Sequence, residues 1–440
     1  MSPETRIDYH SLPAGPLLGA VHVPGDKSIS HRAIILAAIA QGITLIDGML
    51  KSADTIATIN AFREMGVRID EQDNQIAVHG VGKYGLSAPD NPLDFGNSGT
   101  SVRLMSGLLA GQQFDSTLMG DASLSRRPMK RIVEPLRQMG ADISYSGQGT
   151  LPMQIRGSNK LHGISYDMPV ASAQLKSCLL LAGLYAEGTT TICEPAITRD
   201  HTERMLAMFG AHISVADHCI EVRKGELQAV SITIPGDISS AAFFLVAGSI
   251  CPGSDLILNN IGVNPTRSAV IEILMRMGAD ITISANTHAG SEPTADIRVR
   301  YSPLTGIVIP PELVPIAIDE FPAIMVAAAF AEGNTVLNDA AELRVKESDR
   351  IEAMADGLQR LGVNVVTRPD GMTVTGGPVG GGEIMSYGDH RIAMAFAVAA
   401  GHAQGTIKVL DCENVNTSFP GFVDTASALG LKIISQNQDG

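Results

Sequence analysis

The sequence predicts an α/β protein built from six repeated units, from a recurring helix ending, a recurring Ala-rich helix and a duplicated turn. Six amphipathic helices are each followed by an apolar residue, a glycine, a small or β-branched residue and a short strand. Glycine suits the left-handed residue that closes a helix, and Val or Ile favours the strand after it. Spacings of about 70 to 85 residues suit units of several strands and two helices. The six glycines are Gly66, Gly140, Gly210, Gly278, Gly362 and Gly430.

An Ala-rich helix that ends near a glycine and leads into a strand is the second recurring feature. A helix that is apolar on most of its surface must be buried, whereas the helix before each of the six glycines keeps a charged side for solvent. We therefore expect one buried and one exposed helix in each unit. Chance recurrence is the alternative, but six ordered copies argue against it. The Ala-rich segments are residues 34–40, 179–186, 323–331 and 393–403.

A repeated turn divides the six units into two sets of three. Residues 24–26 and 235–237 both read Pro-Gly-Asp, each time between a predicted strand and a predicted helix. Pro-Gly suits a tight turn and Asp suits a helix N-cap. We therefore predict two domains, with the chain crossing between them at these turns. The second turn lacks the lysine that follows the first, so we interpret the second turn as having a structural role only.

Composition and charge exclude several classes of protein. The 440 residues are 45% hydrophobic, enough for two sizeable cores, and no apolar run has membrane-spanning length. The first ten residues are polar and resemble no signal peptide, so we expect a soluble cytoplasmic protein. A net charge of −14 argues against nucleic acid as the main partner. The five cysteines form no Cys-x-x-Cys pair, and we expect core thiols.

Basic and polar residues nevertheless gather at a few predicted helix starts. In residues 25–32, Lys27 and Ser28 open a helix and Arg32 lies one turn further. Helix-start N–H groups, a hydroxyl and two cations suit an anion, although a solvated helix start is the alternative. Two more segments of this kind are residues 96–103, with Arg103 in the following helix, and residues 125–130, with Arg127 before a helix expected to start at Pro128.

The second half of the sequence has two more charged segments at helix starts. In residues 343–350 the alternating charges exceed what a solvated face needs. Residues 387–394 place a charged group before a helix too apolar to be exposed, where charges usually belong to a site. Asp389 and Arg391 of this group could also simply pair with each other.

Two carboxylates stand at the start of another buried helix, in residues 318–323. They belong to Asp319 and Glu320. A neighbouring basic cluster can tune such a carboxylate to act as a general base. The sequence thus combines anion-binding segments with a candidate base.

These segments together resemble the signatures of the EPSP synthase (3-phosphoshikimate 1-carboxyvinyltransferase) family. Any one is weak, but together they are highly specific, follow the family's order and span essentially the whole chain. The resemblance implies two domains, 24–236 and 1–23 plus 237–440, with hinges near the two Pro-Gly-Asp turns. Each domain would be an inside-out α/β barrel of three units, with helices buried and sheets outside. The matching runs are residues 24–32, 97–103, 127–129, 344–350 and 389–391.

The resemblance also implies a reaction: transfer of the enolpyruvyl group from phosphoenolpyruvate to the 5-hydroxyl of shikimate 3-phosphate, on the pathway to chorismate and the aromatic amino acids. Asp319 would accept the hydroxyl proton, Glu347 would protonate the methylene carbon, and Lys346 would bridge the substrates. The residues implied for shikimate 3-phosphate are Ser28, Arg32, Ser172, Ala173, Gln174 and Arg199. Those implied for phosphoenolpyruvate are Lys27, which is also implied in catalysis, Gly99, Arg127, Arg350 and Arg391. No metal or cofactor is implied, and we expect a monomer that binds neither nucleic acid nor membrane.

Two positions depart from the family's best-known branch and resemble its class II. Thr417 stands where that branch has a lysine, so one cation of the usual clamp is missing, and Ala173 stands where a second serine is common. The missing lysine must be compensated elsewhere or phosphate is bound less tightly. Gly99 lacks the methyl group of glyphosate-tolerant relatives, so we expect inhibition by glyphosate, which competes with phosphoenolpyruvate in this family.

Two alternatives stay open at this point. UDP-N-acetylglucosamine enolpyruvyl transferase shares the fold and the phosphoenolpyruvate chemistry, but typically has a reactive cysteine in a first-domain loop. Residues 111–131 contain no cysteine, and Lys27-Ser28 replaces that family's Lys-Asn. A non-catalytic anion-binding repeat protein would be expected to lose Asp319, Glu347 or a clamp arginine, and all are present.

Overall fold

A computed structural model describes residues 6–72, 75–158, 160–286 and 292–438. Helices and strands alternate along these residues, so the predicted mixed α/β class is confirmed. The helices are α1 (Lys27–Ile39), α2 (Ala53–Glu64), α3 (Gly99–Ala110), α4 (Lys130–Gln138), α5 (Ala173–Gly183), α6 (His201–Met208), α7 (Ile238–Ile250), α8 (Ala269–Arg276), α9 (Phe321–Phe330), α10 (Arg350–Arg360), α11 (His390–Ala399) and α12 (Phe422–Ala428). The strands are β1 (Arg6–Leu12), β2 (Leu18–Val21), β3 (Gln41–Asp47), β4 (Arg68–Gln72), β5 (Gln75–Val81), β6 (Leu93–Asp94), β7 (Ser116–Met119), β8 (Asp142–Ser146), β9 (Thr150–Arg156), β10 (Ser165–Asp167), β11 (Thr189–Cys193), β12 (Ile213–Ala216), β13 (Cys219–Arg223), β14 (Ser231–Thr233), β15 (Asp255–Gly262), β16 (Asp280–Ala285), β17 (Thr294–Arg300), β18 (Asn334–Leu337), β19 (Asn364–Arg368), β20 (Gly371–Thr375), β21 (Gly382–Met385), β22 (Ile407–Leu410) and β23 (Lys432–Gln438).

The described residues divide into two compact units. The first unit contains those of Gly25–Ile234 together with Glu292. The second unit contains those of Met1–Pro24, Pro235–His288 and Pro293–Gly440. Each unit has a hydrophobic core of its own.

Three four-stranded sheets belong to the first unit, and they share one pairing pattern. Their strand orders are β14-β3-β5-β4, β6-β7-β9-β8 and β10-β11-β13-β12. In each sheet the first two strands are parallel and the remaining pairs are antiparallel. Strand β14, near the end of the unit, therefore completes the sheet that contains β3.

The sheets of the second unit follow nearly the same pattern. Their orders are β16-β17-β15-β2, β18-β20-β19 and β21-β22-β1-β23. Strand β2 runs parallel to β15, and β21 runs parallel to β22. Beside the three-stranded sheet, Val308 makes a parallel bridge to Val336 of β18. Strand β1 lies between β22 and β23, so the start of the chain contributes to this unit.

Alternate helices are almost fully buried. Helix α3 packs against α1 and α5 in the first unit, and α7, α9 and α11 pack against one another in the second. Helices α7 and α9 have mean hydropathies too high for a surface position, and nearly all their residues are buried. Helices such as α4 and α10 bury one face and expose the other. No helix of the described residues is long and apolar enough to cross a membrane.

The six repeated glycines end helices in the left-handed conformation, as predicted. Their φ angles lie between 83° and 110°, a region that only glycine adopts without strain. The apolar residue before each glycine is buried, which fixes the end of the helix against the core. These six residues are Met65, Met139, Phe209, Met277, Leu361 and Leu429.

The prediction that all five cysteines are core thiols is wrong for two of them. Cys178, Cys251 and Cys412 are buried, and burial raises the pKa of each thiol. Cys193 and Cys219 instead face each other on β11 and β13 and form a disulfide. The sequence pattern missed this pair because it depends on the register of two strands.

Candidate active site

Asp319 in the second unit is the centre of one group of candidate residues. It lies two residues before α9, and its side chain is 12% exposed. Its Oδ1 atom lies 3.3 Å from Arg350 Nη1 and 3.5 Å from Lys346 Nζ. Its Oδ2 atom lies 3.9 Å from Arg267 Nη1. The carboxylate is thus held by cations yet is partly accessible to a ligand.

Arg350 connects Asp319 to two further carboxylates. Its Nε and Nη2 atoms donate to Asp389 over 2.8 and 3.3 Å, and Nη2 donates to Glu347 over 2.7 Å. Burial would lower the pKa of Arg350, but the charges of Asp389, Glu347 and Asp319 raise it above its usual range. Arg350 is therefore a fixed cation at the start of α10.

Arg391, in the first turn of α11, completes this group. Asp389 caps the helix and accepts the Arg391 backbone N–H over 2.9 Å. The Arg391 Nη1 atom donates to the Asp319 carbonyl over 2.9 Å and lies 3.6 Å from the Glu320 carboxylate. The structure therefore brings together five predicted residues of the second unit, which are Asp319, Lys346, Glu347, Arg350 and Arg391.

Arg267 belongs to the same group, although sequence reasoning missed it. Its side chain is 3% exposed, its Nη2 atom donates to Ser239 Oγ over 2.6 Å, and Nη2 lies 3.6 Å from Glu320 Oε1. Ser239 in turn donates to Glu320. The polar residues Asn264, Thr266 and Ser268 around it, just before α8, are the signal that could have drawn attention to this position.

In the first unit, Lys27 and Ser28 begin α1, as predicted. Asp26 caps the helix and accepts the Ile29 backbone N–H over 2.8 Å. Lys27 forms a close ion pair with Asp54 near the start of α2, and the lysine side chain is 22% exposed. The ammonium group is thus anchored but still accessible.

Arg32 is fixed by three acceptors one turn into α1. Its Nη1 atom donates to the Ser28 carbonyl over 2.9 Å, Nη2 to Ser177 Oγ over 2.7 Å, and Nε to Thr202 Oγ1 over 2.6 Å. Burial lowers the pKa of Arg32 to about 10. The guanidinium therefore stays charged at neutral pH in a rigid orientation.

Gln174 is held in place by two residues of α3. Arg103 Nη1 donates to Gln174 Oε1 over 2.7 Å, and Gln174 Nε2 donates to Thr100 Oγ1 over 3.1 Å. Both α3 residues come from the Gly- and Ser-rich segment 96–103. The structure thus joins this segment to the start of α5.

Arg127 and Gly99 lie close together beside the same segment. Arg127 Nη2 donates to Asn97 Oδ1 over 2.6 Å. A methyl group on Gly99 would lie 3.2 Å from Arg127 Nη1 and 2.9 Å from Arg103 Nη1. The absence of a side chain at position 99 therefore leaves room for two guanidinium groups.

The remaining predicted residues flank these groups. Ser172 caps α5 by accepting the Leu175 backbone N–H over 3.3 Å, and Ala173 is the first residue of that helix. Arg199 is half-buried in the loop before α6, and its charge contributes to the lowered pKa of Arg32.

Two other residues of the sequence segments, Arg344 and Thr417, make local contacts, and the prediction that a helix starts at Pro128 is wrong. Arg344 pairs with Asp349 and Glu352 over 2.7 and 3.0 Å, on the exposed side of α10. Pro128 does not begin a helix, because α4 starts at Lys130. Thr417 donates to a backbone carbonyl in its own 3₁₀ turn.

Asp389 is expected to make the stability of the protein depend on pH. Burial would raise its pKa, but the guanidinium of Arg350 outweighs burial and holds the pKa below its usual range. A depressed pKa means that the stabilisation is present above the unfolded pKa of about 3.9 and is lost as the pH falls through the folded pKa. We expect Asp389→Asn to lower the free energy of unfolding at neutral pH, and this deficit to shrink below about pH 4. Denaturant unfolding across this range measures it, and a deficit independent of pH would contradict the expectation.

Both units therefore present cations and backbone N–H groups at the starts of buried helices, a combination that recognises phosphate and carboxylate groups. The second unit adds three carboxylates on the single guanidinium of Arg350. In the described part of the chain, no group of three or more His, Cys, Asp or Glu side chains is arranged to hold a metal ion. These features define an α/β protein whose side chains are suited to binding small, multiply charged anions.

The chain belongs to the EPSP synthase family. The model of that family, EPSP synthase (3-phosphoshikimate 1-carboxyvinyltransferase), matches residues 13–426. The 3-phosphoshikimate 1-carboxyvinyltransferase of Alkalilimnicola ehrlichii is 57% identical, covering 99% of this chain and 98% of its own. That of Methylococcus capsulatus is also 57% identical, covering 97% of this chain and 98% of its own.

Solved structures agree with this assignment. EPSP synthase from Acinetobacter baumannii superposes with a TM-score of 0.90 at 50% identity, covering 98% of this chain and all of that one. The enolpyruvyl transferase NikO from Streptomyces tendae superposes with a TM-score of 0.81 at 18% identity, covering 99% of this chain and all of that one. The second likeness shows a shared fold alone.

Proposed function

We propose that the protein transfers the enolpyruvyl group of phosphoenolpyruvate to the 5-hydroxyl of shikimate 3-phosphate and releases inorganic phosphate. The observation that carries this proposal is the arrangement of Asp319 and Glu347 on the single guanidinium of Arg350. One carboxylate can accept a proton while the other donates one, and the cations around them can hold anionic substrates. The EPSP synthase relatives support this pair of substrates.

The first proposed step is addition of the 5-hydroxyl to C2 of phosphoenolpyruvate. Asp319 accepts the hydroxyl proton as the new C–O bond forms. Glu347 donates a proton to C3, so the methylene carbon becomes a methyl group. Lys346, 3.5 Å from Asp319, stabilises charge between the substrates. The result is a tetrahedral adduct.

The second proposed step is elimination of phosphate from this adduct. The new methyl group returns a proton to the Glu347 carboxylate, and its C–H electrons form the C2=C3 double bond. The electrons of the bond between C2 and the phosphate oxygen leave with inorganic phosphate. Cations that hold the phosphate and carboxylate groups stabilise the departing charge. We assign this task to Lys27, Arg127, Arg350 and Arg391, with Gly99 leaving room for Arg127.

We propose that shikimate 3-phosphate binds to the first unit. The fixed guanidinium of Arg32 and the amide of Gln174, each held by two or more partners, support this. The start of α5 adds backbone N–H groups that suit an anion. The complete set that we assign is Ser28, Arg32, Ser172, Ala173, Gln174 and Arg199.

We also propose that the two units are the domains 24–236 and 1–23 plus 237–440, with hinges at the Pro-Gly-Asp turns. Each would be an inside-out α/β barrel of three repeats. Three sheets per unit and the buried helices α1, α3, α5, α7, α9 and α11 support this. We further propose a cytoplasmic monomer that works without metal or organic cofactor.

The choice of acceptor tests the proposed function. Phosphate release from phosphoenolpyruvate is measured with shikimate 3-phosphate and, separately, with UDP-N-acetylglucosamine. We expect release with the first acceptor alone. Release with only the second would identify the other enolpyruvyl transferase, and release with neither would indicate a non-catalytic anion-binding protein.

The absence of a side chain at Gly99 leads us to expect that glyphosate inhibits this protein. A methyl group at this position would press on the ends of Arg103 and Arg127, which are flexible, so Gly99→Ala should still fold. Displacement of Arg127 should weaken the binding of both phosphoenolpyruvate and glyphosate. The binding of glyphosate should weaken more, because glyphosate is longer and leaves less free space in the site. We expect the wild type to be inhibited, and Gly99→Ala to raise the inhibition constant more than the KM for phosphoenolpyruvate.

Gly377→Ala is the matched control, because a methyl group there would meet no atom within 4 Å. It should leave inhibition and KM unchanged. Equal tolerance of the wild type and Gly99→Ala would make the steric explanation wrong. The clamp altered at Thr417 would then be the better explanation.

A further inference from the structure

Lys176 is a buried cation that the proposed mechanism does not use. It lies on α5 in the first unit and its side chain is fully buried. Its Nζ atom lies 2.6 Å from Glu203 on α6 and 3.1 Å from Glu194 in the loop that follows β11. A buried ion pair of this kind is costly to form, so it needs an explanation beyond stability.

The neighbours of this ion cluster are the residues that hold Arg32. Ser177 directly follows Lys176, and Thr202 directly precedes Glu203. The hydroxyls of Ser177 and Thr202 lie 2.7 Å apart, and both accept hydrogen bonds from Arg32. The Lys176–Glu203 ion pair therefore connects α5 to α6 next to the two hydroxyls that accept hydrogen bonds from the Arg32 guanidinium.

The same lysine also orders the loop before α6. Glu194 accepts a hydrogen bond from Thr198 Oγ1 over 2.6 Å, and Lys176 Nζ donates to the Thr198 carbonyl over 3.4 Å. Thr198 is adjacent to Arg199. The cluster thus supports two of the cations assigned above to shikimate 3-phosphate.

We infer that Lys176, with Glu203 and Glu194, is a positioning residue that sets the orientation of Arg32 and Arg199 for the anionic groups of the acceptor. This inference rests on the proposed function. Lys176 does not touch the substrate itself; it acts through Ser177, Thr202 and the loop before α6.

Electrostatics supports the same role. Burial lowers the pKa of Arg32, and Glu203 counteracts burial by raising it. The other charges acting on Arg32 are those of Arg199, which lowers its pKa, and of Asp26 and Glu292, which raise it. Burial raises the pKa of Glu203, and Lys176 counteracts that by favouring the carboxylate. Lys176 therefore favours the ionised form of Glu203, and the charge of Glu203 favours the charged form of Arg32.

Two variants test this inference by steady-state kinetics. Lys176→Met removes the cation, whereas Glu203→Gln leaves Lys176 paired with Glu194 and should fold even if the first variant does not. For each folded variant we expect the KM for shikimate 3-phosphate to rise about 10-fold or more, the loss of roughly one charge-assisted contact. The KM for phosphoenolpyruvate and kcat should change less than twofold.

Lys83→Met is the matched control, because Lys83 is also buried in the first unit but bonds to the Leu184 carbonyl. It should lower stability without a selective change in the KM for shikimate 3-phosphate. Removing the charge of Glu203 should lower the pKa of Arg32. As the pH is raised, Glu203→Gln should therefore lose affinity for the acceptor at a lower pH than the wild type does. A wild-type KM and pH profile in Glu203→Gln would overturn the inference. Inactivity of the wild type with shikimate 3-phosphate would instead overturn the proposed function.

Discussion

Asp319→Asn is expected to reduce turnover by roughly 100-fold or more, the usual contribution of a positioned general base. The amide has nearly the shape of the carboxylate and can still accept from Arg350 and Lys346, but it cannot take the hydroxyl proton. Substrate affinity should therefore be largely retained. Steady-state kinetics and ligand titration on the same preparation separate the two effects.

Asp356→Asn is the control for this substitution. Asp356 lies in the same unit, on α10, and its carboxylate lies 2.9 Å from Arg360 on the surface. The control variant should keep wild-type turnover. Near-normal turnover in Asp319→Asn would remove Asp319 from the mechanism and leave Glu347 as the residue to test for both proton transfers.

Arg350→Met is expected to destabilise the protein by about 3–5 kcal/mol, because it leaves Asp389 buried without its main cation. The same change should abolish measurable transfer, since Arg350 also holds Asp319 and Glu347 and is assigned to the phosphoenolpyruvate clamp. Denaturant unfolding measures the first effect and phosphate release measures the second.

The double variant Arg350→Met/Asp389→Asn separates stability from activity. Removing the buried charge as well as its partner should restore part of the stability, while activity should stay absent. Arg360→Met, which breaks an exposed pair on the same helix, should change neither. An Arg350→Met variant that is both as stable and as active as the wild type would show that Arg350 neither compensates the charge of Asp389 nor binds substrate.

Much of the fold could be predicted because its signals are local. A glycine such as Gly140 ends its helix through its own φ angle, and the apolar residue before it is buried within the same turn. The caps Asp26 and Asp237 likewise accept backbone N–H groups two or three residues ahead. Sequence patterns report such short-range effects directly.

The candidate site was predictable only where its residues lie in short motifs. Arg350 and Arg391 stand at helix starts beside other charges, so their segments attracted attention. The hydrogen bond of Arg267 needs Ser239, which is 28 residues away, and the disulfide of Cys193 needs Cys219, which is 26 residues away. Lys176 looks like one polar residue in an apolar helix until α6 is packed beside it. Contacts of this kind are decided by tertiary packing and leave no local pattern.

Nuclear magnetic resonance spectroscopy of the complete reaction mixture tests the proposed enolpyruvyl transfer most directly. Phosphoenolpyruvate and shikimate 3-phosphate are incubated with the wild-type protein and followed by phosphorus and proton spectra. We predict that the phosphoenolpyruvate phosphorus signal is replaced one for one by inorganic phosphate, the phosphate ester of the acceptor persists, and vinyl ether methylene signals appear. Unchanged substrates, or phosphate released from the acceptor without a vinyl ether, would contradict the proposed transfer.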